Sequence, residues 1–338
     1  MNSRVAIIGT GSIGRRWADI VNSSSPATEV LHVSSRSLDS VAGVGQDGAG
    51  SELVRFAPDI VILANPATQR AQFFETHTHL VAHYLIEKPV ASALGEALQI
   101  ENLLAHNEGV VQIGYNLRFS PSLRVFKEQL DRRMLGKVLS VRVDTGQYLP
   151  DWRPDADYRD TVSAKDSLGG GVLRELSHEF DYLRWIFGEM EWVSAWLGKQ
   201  SSFELDVEDT AHVTVGFQGL EDEPAVVAQV NLDFVRRDAV RQVTAVCEEG
   251  SLRWDGIANT VAIWKGGPAG WEQFAVPDAS GSTYQAQWDS FTGAIANSGE
   301  PEVTLSDGIE VLRVIEAIRE SHHRMGQRVE VATVGADR

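Results

Sequence analysis

The sequence predicts an α/β chain: an N-terminal Rossmann domain built on a doubly wound parallel sheet, followed by a C-terminal α+β domain with an open, mostly antiparallel sheet. Short apolar runs alternate with helical patterns over residues 1–118, and in the segment 119–338 longer runs of alternating polarity begin at Lys137. A glycine-rich turn comes directly after the first apolar run. With 338 residues, the chain exceeds what one hydrophobic core usually serves, so we expect these two segments to be separate domains.

Short apolar runs in the first segment are typical of buried parallel strands. The predicted strands are Val5–Ile8, Val30–Val33, Asp59–Leu63, Tyr84–Ile86 and Val110–Ile113. The segments between them have apolar residues at helical spacing. The predicted helices are Ile13–Val21, Ala67–Thr78 and Leu94–His106. Ser120 is typical of an N-cap and Pro121 of a first helical residue, which predicts a further helix through Arg133.

Alternating polarity in the second segment predicts strands with one buried face. These strands are Val138–Gln147, Trp192–Gly198, Ala211–Phe217, Val226–Phe234, Arg241–Val246 and Val261–Trp264. Helical spacing predicts the flanking helices Gly171–Phe187, Ser282–Ser298 and Ser306–Met325. Alternation in the second sheet also favours self-association, and we expect a homodimer or homotetramer formed through this sheet.

Composition excludes several classes of function. The net charge of −17 would repel a phosphate backbone, and the lysines and arginines form no run, so we expect no nucleic-acid partner. The chain has no basic-then-apolar leader and no apolar run of about 18 residues, so we expect a cytoplasmic protein without a membrane partner. The single cysteine, Cys247, excludes an internal disulfide and a multi-cysteine metal site, and we expect no metal.

The glycine-rich turn Gly9-Thr10-Gly11-Ser12-Ile13-Gly14 lies between a predicted strand and a predicted helix, the context in which this pattern binds dinucleotides. Gly9 allows a tight turn, Gly11 lets the backbone approach a pyrophosphate, and Gly14 permits close packing of helix on strand. The N–H groups at the helix N-terminus would bind the anion. We therefore expect this loop to bind a nicotinamide dinucleotide.

Residues at the end of the second predicted strand indicate which dinucleotide is bound. An NAD-preferring site has an acidic residue about 20 positions beyond the loop, on the adenosine ribose. Here Val33 is followed by Ser34, Ser35 and Arg36, whose hydroxyls and guanidinium suit a 2′-phosphate. The sequence therefore favours NADP, with NAD as the alternative because Asp39 lies close by.

A lysine directly after a predicted parallel strand is the first candidate for chemistry. Glu87-Lys88-Pro89 follows the strand Tyr84–Ile86 and places an ammonium group at the carboxyl end of the sheet, where such folds bind ligands. Taken alone, the tripeptide is equally compatible with an ordinary surface turn.

A histidine flanked by carboxylates is the second candidate. Three glycines, Gly169–Gly171, lie at the entrance of a predicted helix, on which a spacing of three places Glu175, His178 and Asp181 along one face. Neighbouring carboxylates can orient a histidine and raise its basicity, as a general base requires. We expect His178 to be catalytic with Glu175 beside it, although a lone histidine is more often structural.

These stretches together resemble the glucose-fructose oxidoreductase/inositol dehydrogenase family, called Gfo/Idh/MocA. The resemblance covers nearly the whole chain. It depends on separated motifs in the expected order, namely Gly9–Gly14, Asn65-Pro66-Ala67, Glu87-Lys88-Pro89, Gly114–Pro121, Gly169–Asp181 and Gly299–Ser321.

The resemblance implies hydride transfer between a sugar carbon and the nicotinamide. In this interpretation His178 exchanges the hydroxyl proton and Lys88 stabilises the developing charge on the oxygen. The resemblance also implies further ligand contacts. These residues are Asn65, Pro66, Glu87 and Lys88 at the cofactor, and Lys88, Asn116, Arg118 and His178 at the substrate.

The sequence departs from the family pattern at two positions. The family usually has an aspartate four residues before the histidine, where this chain has Arg174, so that Glu175 is the nearest carboxylate. The family also tends to have a histidine where the loop after Asn65 reaches Arg70. These departures leave the role of Glu175 and the contact of this loop with nicotinamide open.

The stretch Tyr148–Pro154 with Tyr158 and Arg159 resembles family members from sialic-acid-type and other surface-sugar gene clusters. This implies an anionic or nucleotide-linked sugar. Trp152 could stack on a sugar face or an adenine, and Arg153 or Arg159 could pair with a carboxylate or phosphate. Packing at a domain boundary is the alternative for each of these residues.

The sequence is compatible with two other functions. The family includes repressor-type members that bind nucleotide without turnover, and retention of Lys88 and His178 argues against that class. An NAD-assisted glycoside hydrolase would keep its cofactor bound and show no net change in nicotinamide absorbance. The sequence favours an NAD(P)-dependent sugar dehydrogenase or reductase.

Overall fold

The computed structural model describes residues 3–24, 28–34, 49–218, 225–277 and 282–332. The strands in these ranges form two sheets. They are β1 Arg4–Ile8, β2 Glu29–Val33, β3 Ile60–Leu63, β4 His83–Ile86, β5 Val111–Ile113, β6 Val138–Gly146, β7 Met190–Gly198, β8 Thr210–Phe217, β9 Val227–Asp233, β10 Val240–Cys247, β11 Gly250–Asp255, β12 Thr260–Trp264, β13 Glu272–Ala275 and β14 Val329–Glu330. The α-helices are α1 Ser12–Ser24, α2 Ala49–Phe56, α3 Arg70–Thr76, α4 Leu94–Leu104, α5 Pro121–Asp131, α6 Val172–Glu175, α7 His178–Phe187, α8 Thr283–Asn297 and α9 Leu305–His323.

The first sheet has the order β2-β1-β3-β4-β5, and its strand pairs are parallel. Residues 5–8 and 60–63 are buried along their whole length, as expected for central parallel strands covered on both faces. The chain reverses its direction of travel across the sheet between β1 and β3. In open α/β sheets, ligands bind at the carboxyl ends of the strands beside such a reversal. The Rossmann domain predicted from the sequence is confirmed.

The first of two compact units consists of residues 1–115 together with residues 284–312. Helix α8 belongs here because its apolar face packs on the core around Trp17, where Trp288 and Phe291 are buried. The side-chain amide of Gln287 also donates to the Ile113 carbonyl oxygen at 3.2 Å. The division at 118/119 drawn from the sequence differs from this arrangement, because the helical spacing of α8 indicates an apolar face but not the surface that the face covers.

The second compact unit consists of residues 116–283 and 313–338. Its sheet has the order β13-β12-β11-β10-β6-β9-β8-β7-β14. Strands β6 and β9 are parallel, whereas the other neighbours are antiparallel, so the predicted mostly antiparallel sheet is confirmed. Residues alternate between buried and accessible along β6, β7 and β9, which leaves one face of the sheet open.

Two predicted helices are interrupted. The segment predicted as Ala67–Thr78 begins with a 3-10 turn at Ala67–Gln69 before α3. The helix predicted as Gly171–Phe187 is divided into α6 and α7, because the N–H of Glu179 bonds to the carbonyl of Leu176, three residues back. The expectation that Glu175 and His178 share one continuous helical face is therefore wrong.

Strands β11, β13 and β14 were not predicted. Strand β13 is exposed along its whole length and β14 has two residues, so neither gives an alternating pattern. In the described parts of the chain, no helix has the length and apolar character needed to cross a lipid bilayer. Cys247 is a buried thiol, and burial raises its pKa to about 11.

Candidate active site

The glycine-rich loop forms a tight turn after β1. Gly9 has φ +117°, and a side chain there would approach the backbone of Ala64 to 2.7 Å. A side chain at Gly14 would come within 1.8 Å of the Gly9 carbonyl oxygen. These two positions therefore require glycine for the packing of loop, helix and strand. The N–H of Gly9 donates to the Val33 carbonyl oxygen at 2.8 Å, which joins the turn to the end of β2.

The opposite side of this loop suits the pyrophosphate of a dinucleotide. A Cβ at Gly11 would meet no atom within 4 Å, and Thr10, Gly11 and Ser12 are exposed at the start of α1. The first turn of α1 contains no acidic residue, and its free N–H groups favour an anion. Arg15 Nη1 donates to the Thr10 carbonyl oxygen at 2.9 Å and adds positive charge to the turn. The residues present therefore fit a nicotinamide dinucleotide.

The other predicted cofactor residues have different positions. Ile13 and Ser34 are partly buried, at the start of α1 and just after β2. The predictions made for Ser35 and Arg36 lie outside the described residues, as does Asp39.

The carboxyl ends of β3 and β4 bring Asn65, Pro66 and Lys88 to the same edge of the sheet as the glycine loop. Backbone N–H groups join these ends, from Ala64 to the Ile8 oxygen at 2.8 Å and from Glu87 to the Leu63 oxygen at 3.0 Å. Asn65 is buried and Lys88 is half-buried. The sequence predicts Lys88 at the carboxyl edge of the sheet, and in the structure Lys88 lies at this edge.

Glu87, predicted as a cofactor contact, is buried and directed into the domain. Its Oε1 accepts a hydrogen bond from Trp17 Nε1 at 2.7 Å, and its Oε2 accepts one from the Lys88 backbone N–H at 3.3 Å. Burial raises the pKa of Glu87, whereas the bond from Trp17 and the positive charge of Arg70 oppose that rise. This environment favours a structural role for the Glu87 side chain.

Arg70, where this chain departs from the family pattern, makes buried contacts that the sequence does not indicate. It is 3% exposed, and its guanidinium bonds to backbone carbonyl oxygens of two loops: Nη1 donates to those of Glu87 and Pro89, and Nη2 donates to that of Asn65 at 2.9 Å. Burial lowers the pKa of Arg70 to about 10, against the opposing charge of Glu87. The guanidinium therefore joins the Asn65 loop to the loop that contains Lys88.

In the second unit, α7 begins with His178, and two buried carboxylates follow within its first turn. Glu179 Oε1 accepts from Arg241 Nε at 2.9 Å, and Asp181 accepts from the guanidinium of Arg118. Acidic residues are favourable at a helix N-terminus. The two arginines come from β10 and from the 3-10 turn Asn116–Phe119. They therefore fix the start of α7, and with it the backbone of His178, from two directions.

Two predicted substrate residues have partners within the second unit. Asn116 Nδ2 donates to Thr283 Oγ1 at 2.6 Å, and the buried guanidinium of Arg118 pairs with Asp181. Arg174, which replaces the usual aspartate of the family, is also buried: its Nη1 donates to Asp166 Oδ1 and to the Gly170 carbonyl oxygen, both at 3.1 Å. These contacts favour structural roles for all three side chains.

Trp152, Arg153 and Tyr158 line one small pocket, together with Leu149, Thr161 and Ser163. Trp152 packs edge-on against Phe234, with ring centroids 5.2 Å apart. The structure thus brings together three of the four residues predicted from this stretch. Arg159 is instead held by Asp157, with its Nη2 2.6 Å from Oδ2, and lies 3.4 Å from a Glu204 carboxylate oxygen.

Lys88 belongs to the first unit, whereas Glu175 and His178 belong to the second. Their convergence over the nicotinamide therefore stays a prediction. Among the described residues, no group of three or more His, Cys, Asp or Glu side chains is arranged to hold a metal ion. The first unit places the Lys88 ammonium group at the carboxyl edge of its sheet, and the second unit places the His178 imidazole at the start of α7.

Comparison with protein families identifies both parts of the chain. Residues 3–115 match the family model for the NAD-binding Rossmann fold of an oxidoreductase family, whose model is named GFO_IDH_MocA. Residues 127–331 match the model of the C-terminal alpha/beta domain of the same family. Together the two matches span most of the chain.

Individual relatives match over parts of their length. A levoglucosan dehydrogenase of Pseudarthrobacter phenanthrenivorans is 28% identical over 41% of this chain and 36% of its own. An inositol 2-dehydrogenase of Rhizobium meliloti is 23% identical over 56% of each chain. Three further bacterial oxidoreductases match over 30–46% of their own length. The matched segments thus span about a third to a half of these curated relatives.

Solved structures show the same fold over the full length. A levoglucosan dehydrogenase in complex with NADH and levoglucosan has a TM-score of 0.78 at 18% identity, covering 99% of this chain and 100% of that chain. The WlbA dehydrogenase from Bordetella pertussis, in complex with NADH and UDP-GlcNAcA, also has a TM-score of 0.78, at 19% identity, covering 98% and 100%. At this identity the likeness shows the shared fold.

Proposed function

Because the chain belongs to the Gfo/Idh/MocA oxidoreductase family, we propose that it is a nicotinamide-dependent dehydrogenase or reductase of a sugar, sugar acid or nucleotide sugar. One observation carries this proposal: the loop Gly9–Gly14 has the geometry of a pyrophosphate cradle, and Lys88 lies at the same edge of the same parallel sheet. The first domain would bind the cofactor and the second would supply the substrate site.

The proposed roles follow from the chemistry of an alcohol oxidised to a carbonyl compound. The bound nicotinamide would take the hydride from the carbon and supply it in the reverse direction. His178 would take the hydroxyl proton, with Glu175 from the preceding helix as a neighbouring carboxylate. The ammonium of Lys88 would hold the oxygen and stabilise its negative charge as the proton leaves.

The pocket formed by Trp152, Arg153 and Tyr158 is the proposed sugar-binding surface. Aromatic rings suit the apolar face of a sugar, and a guanidinium suits a carboxylate or phosphate. The contacts of the two arginines left open by the sequence differ, and this difference supports a choice between them. Arg159 is held by Asp157, whereas Arg153 is exposed and has no ion-pair partner among the described residues. We therefore assign the anionic group of the substrate to Arg153.

The cofactor preference proposed from the sequence is NADP, through Ser34, Ser35 and Arg36, with NAD as the alternative. Calorimetric titration with NADPH and NADH tests it directly. Tighter binding of NADPH, with a smaller difference in Arg36→Ala, is the expected result. Preference for NADH in the wild-type protein would contradict it.

Self-association through the open face of the second sheet is a further part of the proposal. Trp196 and Trp264 are 41% and 37% exposed on that face. Large aromatic residues are enriched in subunit interfaces. A homodimer or homotetramer would cover them, and sedimentation equilibrium measures the oligomeric state.

The experiment that tests the function is a panel of sugars, sugar acids and nucleotide sugars, followed by the change in nicotinamide absorbance with each cofactor. Substrate-dependent absorbance change with at least one compound is expected. Binding of a sugar and a nucleotide without turnover would instead indicate a regulator of the same fold. Glycoside cleavage by protein that retains its cofactor, without net absorbance change, would indicate an NAD-assisted hydrolase.

A further inference from the structure

The backbone on both sides of Lys88 is held by one side chain. Arg70 Nη1 donates to the carbonyl oxygen of Glu87, which precedes Lys88, and to that of Pro89, which follows it. Arg70 Nη2 donates to the carbonyl oxygen of Asn65 at 2.9 Å. A single guanidinium therefore bonds to the backbone on both sides of Lys88 and to the neighbouring loop after β3.

The geometry of this contact depends on a guanidinium. Three acceptors on two loops are bonded through two nitrogens of one planar group, whose donors lie in a fixed fork. A lysine at this position would keep the charge, but its single nitrogen could not reproduce the fork. Loss of the charged group would leave buried carbonyl oxygens without these donors, which is costly in a protein interior.

The surroundings of Arg70 make this arrangement rigid. Arg70 and Glu87 are 3% and 6% exposed, and the Glu87 carboxylate offsets the buried positive charge. Glu87 in turn accepts the hydrogen bond from Trp17 Nε1 at 2.7 Å. Trp17 lies on α1, the helix whose N-terminus forms the dinucleotide cradle. Buried contacts thus lead from the cofactor helix through Glu87 to the backbone of Lys88.

We propose that Arg70 is a positioning residue for Lys88, holding the lysine backbone in register with the dinucleotide loop so that its ammonium meets the reacting oxygen. The inference depends on the proposed function for the role of Lys88, but the positioning itself can be measured without turnover. Displacement of a catalytic group by about 1 Å can reduce rates by about a hundredfold.

The test compares wild type with Arg70→Met and Arg70→Lys. Acylation of the Lys88 amine by acetic anhydride is followed by mass spectrometry of the peptide, from about pH 7 to about pH 10, a range that brackets the onset of lysine deprotonation. We expect the Lys88 rate to change at least about threefold in Arg70→Met and to a smaller extent in Arg70→Lys, because proximity and solvation of the amine depend on its backbone. Lys199 and Lys265, both exposed, serve as internal references.

Kinetics with the best substrate provide the second measurement. We expect kcat to fall at least about tenfold in Arg70→Met, with the Kd of the dinucleotide within about threefold of wild type and partial recovery in Arg70→Lys. Arg4→Met is the matched control, because Arg4 lies in the same domain in a surface pair with Asp59. It should change neither quantity.

The outcomes separate the two proposals. If wild type shows no turnover, the acylation rates still decide the role of Arg70. If folded Arg70→Lys and Arg70→Met both keep wild-type Lys88 acylation and kcat, the positioning role is overturned while the proposed function stands. If Arg70→Met does not fold, Arg70→Lys decides. A Lys88 acylation rate and a kcat equal to those of wild type overturn the proposal, and a changed acylation rate with a lowered kcat supports it.

Discussion

Arg118 and Asp181 form a buried ion pair in which three hydrogen bonds join the two side chains: Nε donates to both carboxylate oxygens at 3.1 and 3.0 Å, and Nη2 donates to Oδ1 at 2.7 Å. The side chains are 5% and 1% exposed. Removing one partner of such a pair leaves an uncompensated buried charge. We expect Arg118→Met to lower the free energy of unfolding by about 3–5 kcal/mol, measured by urea denaturation.

A double substitution distinguishes loss of the pair from loss of packing. Arg118→Met with Asp181→Leu removes both charges and should recover part of the stability, since buried pairs are often replaceable by apolar residues. The surface pair Arg132–Glu128 is the control, and Arg132→Met should change the free energy of unfolding by less than about 1 kcal/mol. Equal effects of the buried and the surface substitution would contradict the assigned structural role of Arg118.

Gly11 and Gly95 provide a matched pair for the dinucleotide site. Gly11 directly precedes α1 and Gly95 is the second residue of α4, and at neither would a Cβ meet an atom within 4 Å. Alanine should therefore be tolerated at both positions without loss of stability. A methyl group at Gly11 would nevertheless occupy the space that the pyrophosphate approaches. We expect Gly11→Ala to weaken NADPH and NADH binding at least about tenfold, whereas Gly95→Ala leaves both affinities unchanged, as measured by calorimetry.

The sequence predicted the first sheet well because fully buried parallel strands give unbroken apolar runs, as in residues 5–8 and 60–63. It predicted Lys88 at the carboxyl edge because the motif Glu87-Lys88-Pro89 directly follows the predicted strand Tyr84–Ile86. It predicted α8 as a helix flanking the second sheet, whereas Trp288 packs in the core of the first unit, since a helical pattern does not state which core a ring enters.

The sequence could not separate ligand-binding residues from residues paired inside the fold. Three arginines were predicted at the substrate, yet their surroundings differ. Arg118 is buried on Asp181, Arg159 is held by Asp157, and Arg153 lines a pocket. The partner of Arg118 lies 63 positions away along the chain. Such long-range pairing has no local periodicity, so propensity and spacing do not report it.

Substitution of the two proposed catalytic residues tests the chemistry. Lys88→Ala and His178→Ala should each lower turnover at least about a hundredfold, because a charge-stabilising or proton-transferring group is lost. Dinucleotide affinity should stay largely intact in both. Lys265→Ala and His106→Ala, both at exposed positions, are the controls and should keep wild-type turnover. Wild-type turnover in either test variant would remove that residue from the mechanism.

The pocket assignment predicts opposite behaviour of two neighbouring arginines. Arg153→Ala should raise KM at least about tenfold for an acidic sugar and leave KM for a neutral sugar nearly unchanged, because a charge-assisted contact with the anionic group is lost. Arg159→Ala should leave both values near wild type, since that guanidinium pairs with Asp157. Steady-state kinetics with an acidic and a neutral substrate decide between them, and the reverse pattern would assign the anion to Arg159.

Asp209 connects stability to pH in the second unit. Its buried carboxylate accepts from the N–H groups of Gln200 at 2.8 Å and Ser201 at 3.0 Å, and from the hydroxyls of Ser201 at 2.6 Å and Thr210 at 2.9 Å. Burial favours a higher pKa, but these hydrogen bonds outweigh it and hold the pKa of Asp209 below its ordinary value of 3.8. The stabilisation is therefore complete above that value and is lost as the pH falls through the lowered pKa.

Asp209→Asn removes the charge and turns part of the acceptor into a donor. We expect it to lower the free energy of unfolding at neutral pH by about 1.5–3 kcal/mol, with the difference from wild type shrinking below about pH 4, because the wild-type carboxylate becomes protonated there. Asp157→Asn is the control: hydrogen bonds from Arg159 lower the pKa of Asp157 to about 2, but solvent screens this exposed pair, so stability should change little. Urea denaturation at neutral and acid pH measures the free energy of unfolding of both variants. A constant difference between Asp209→Asn and wild type across that range would show that the charge of the Asp209 carboxylate does not stabilise the second unit.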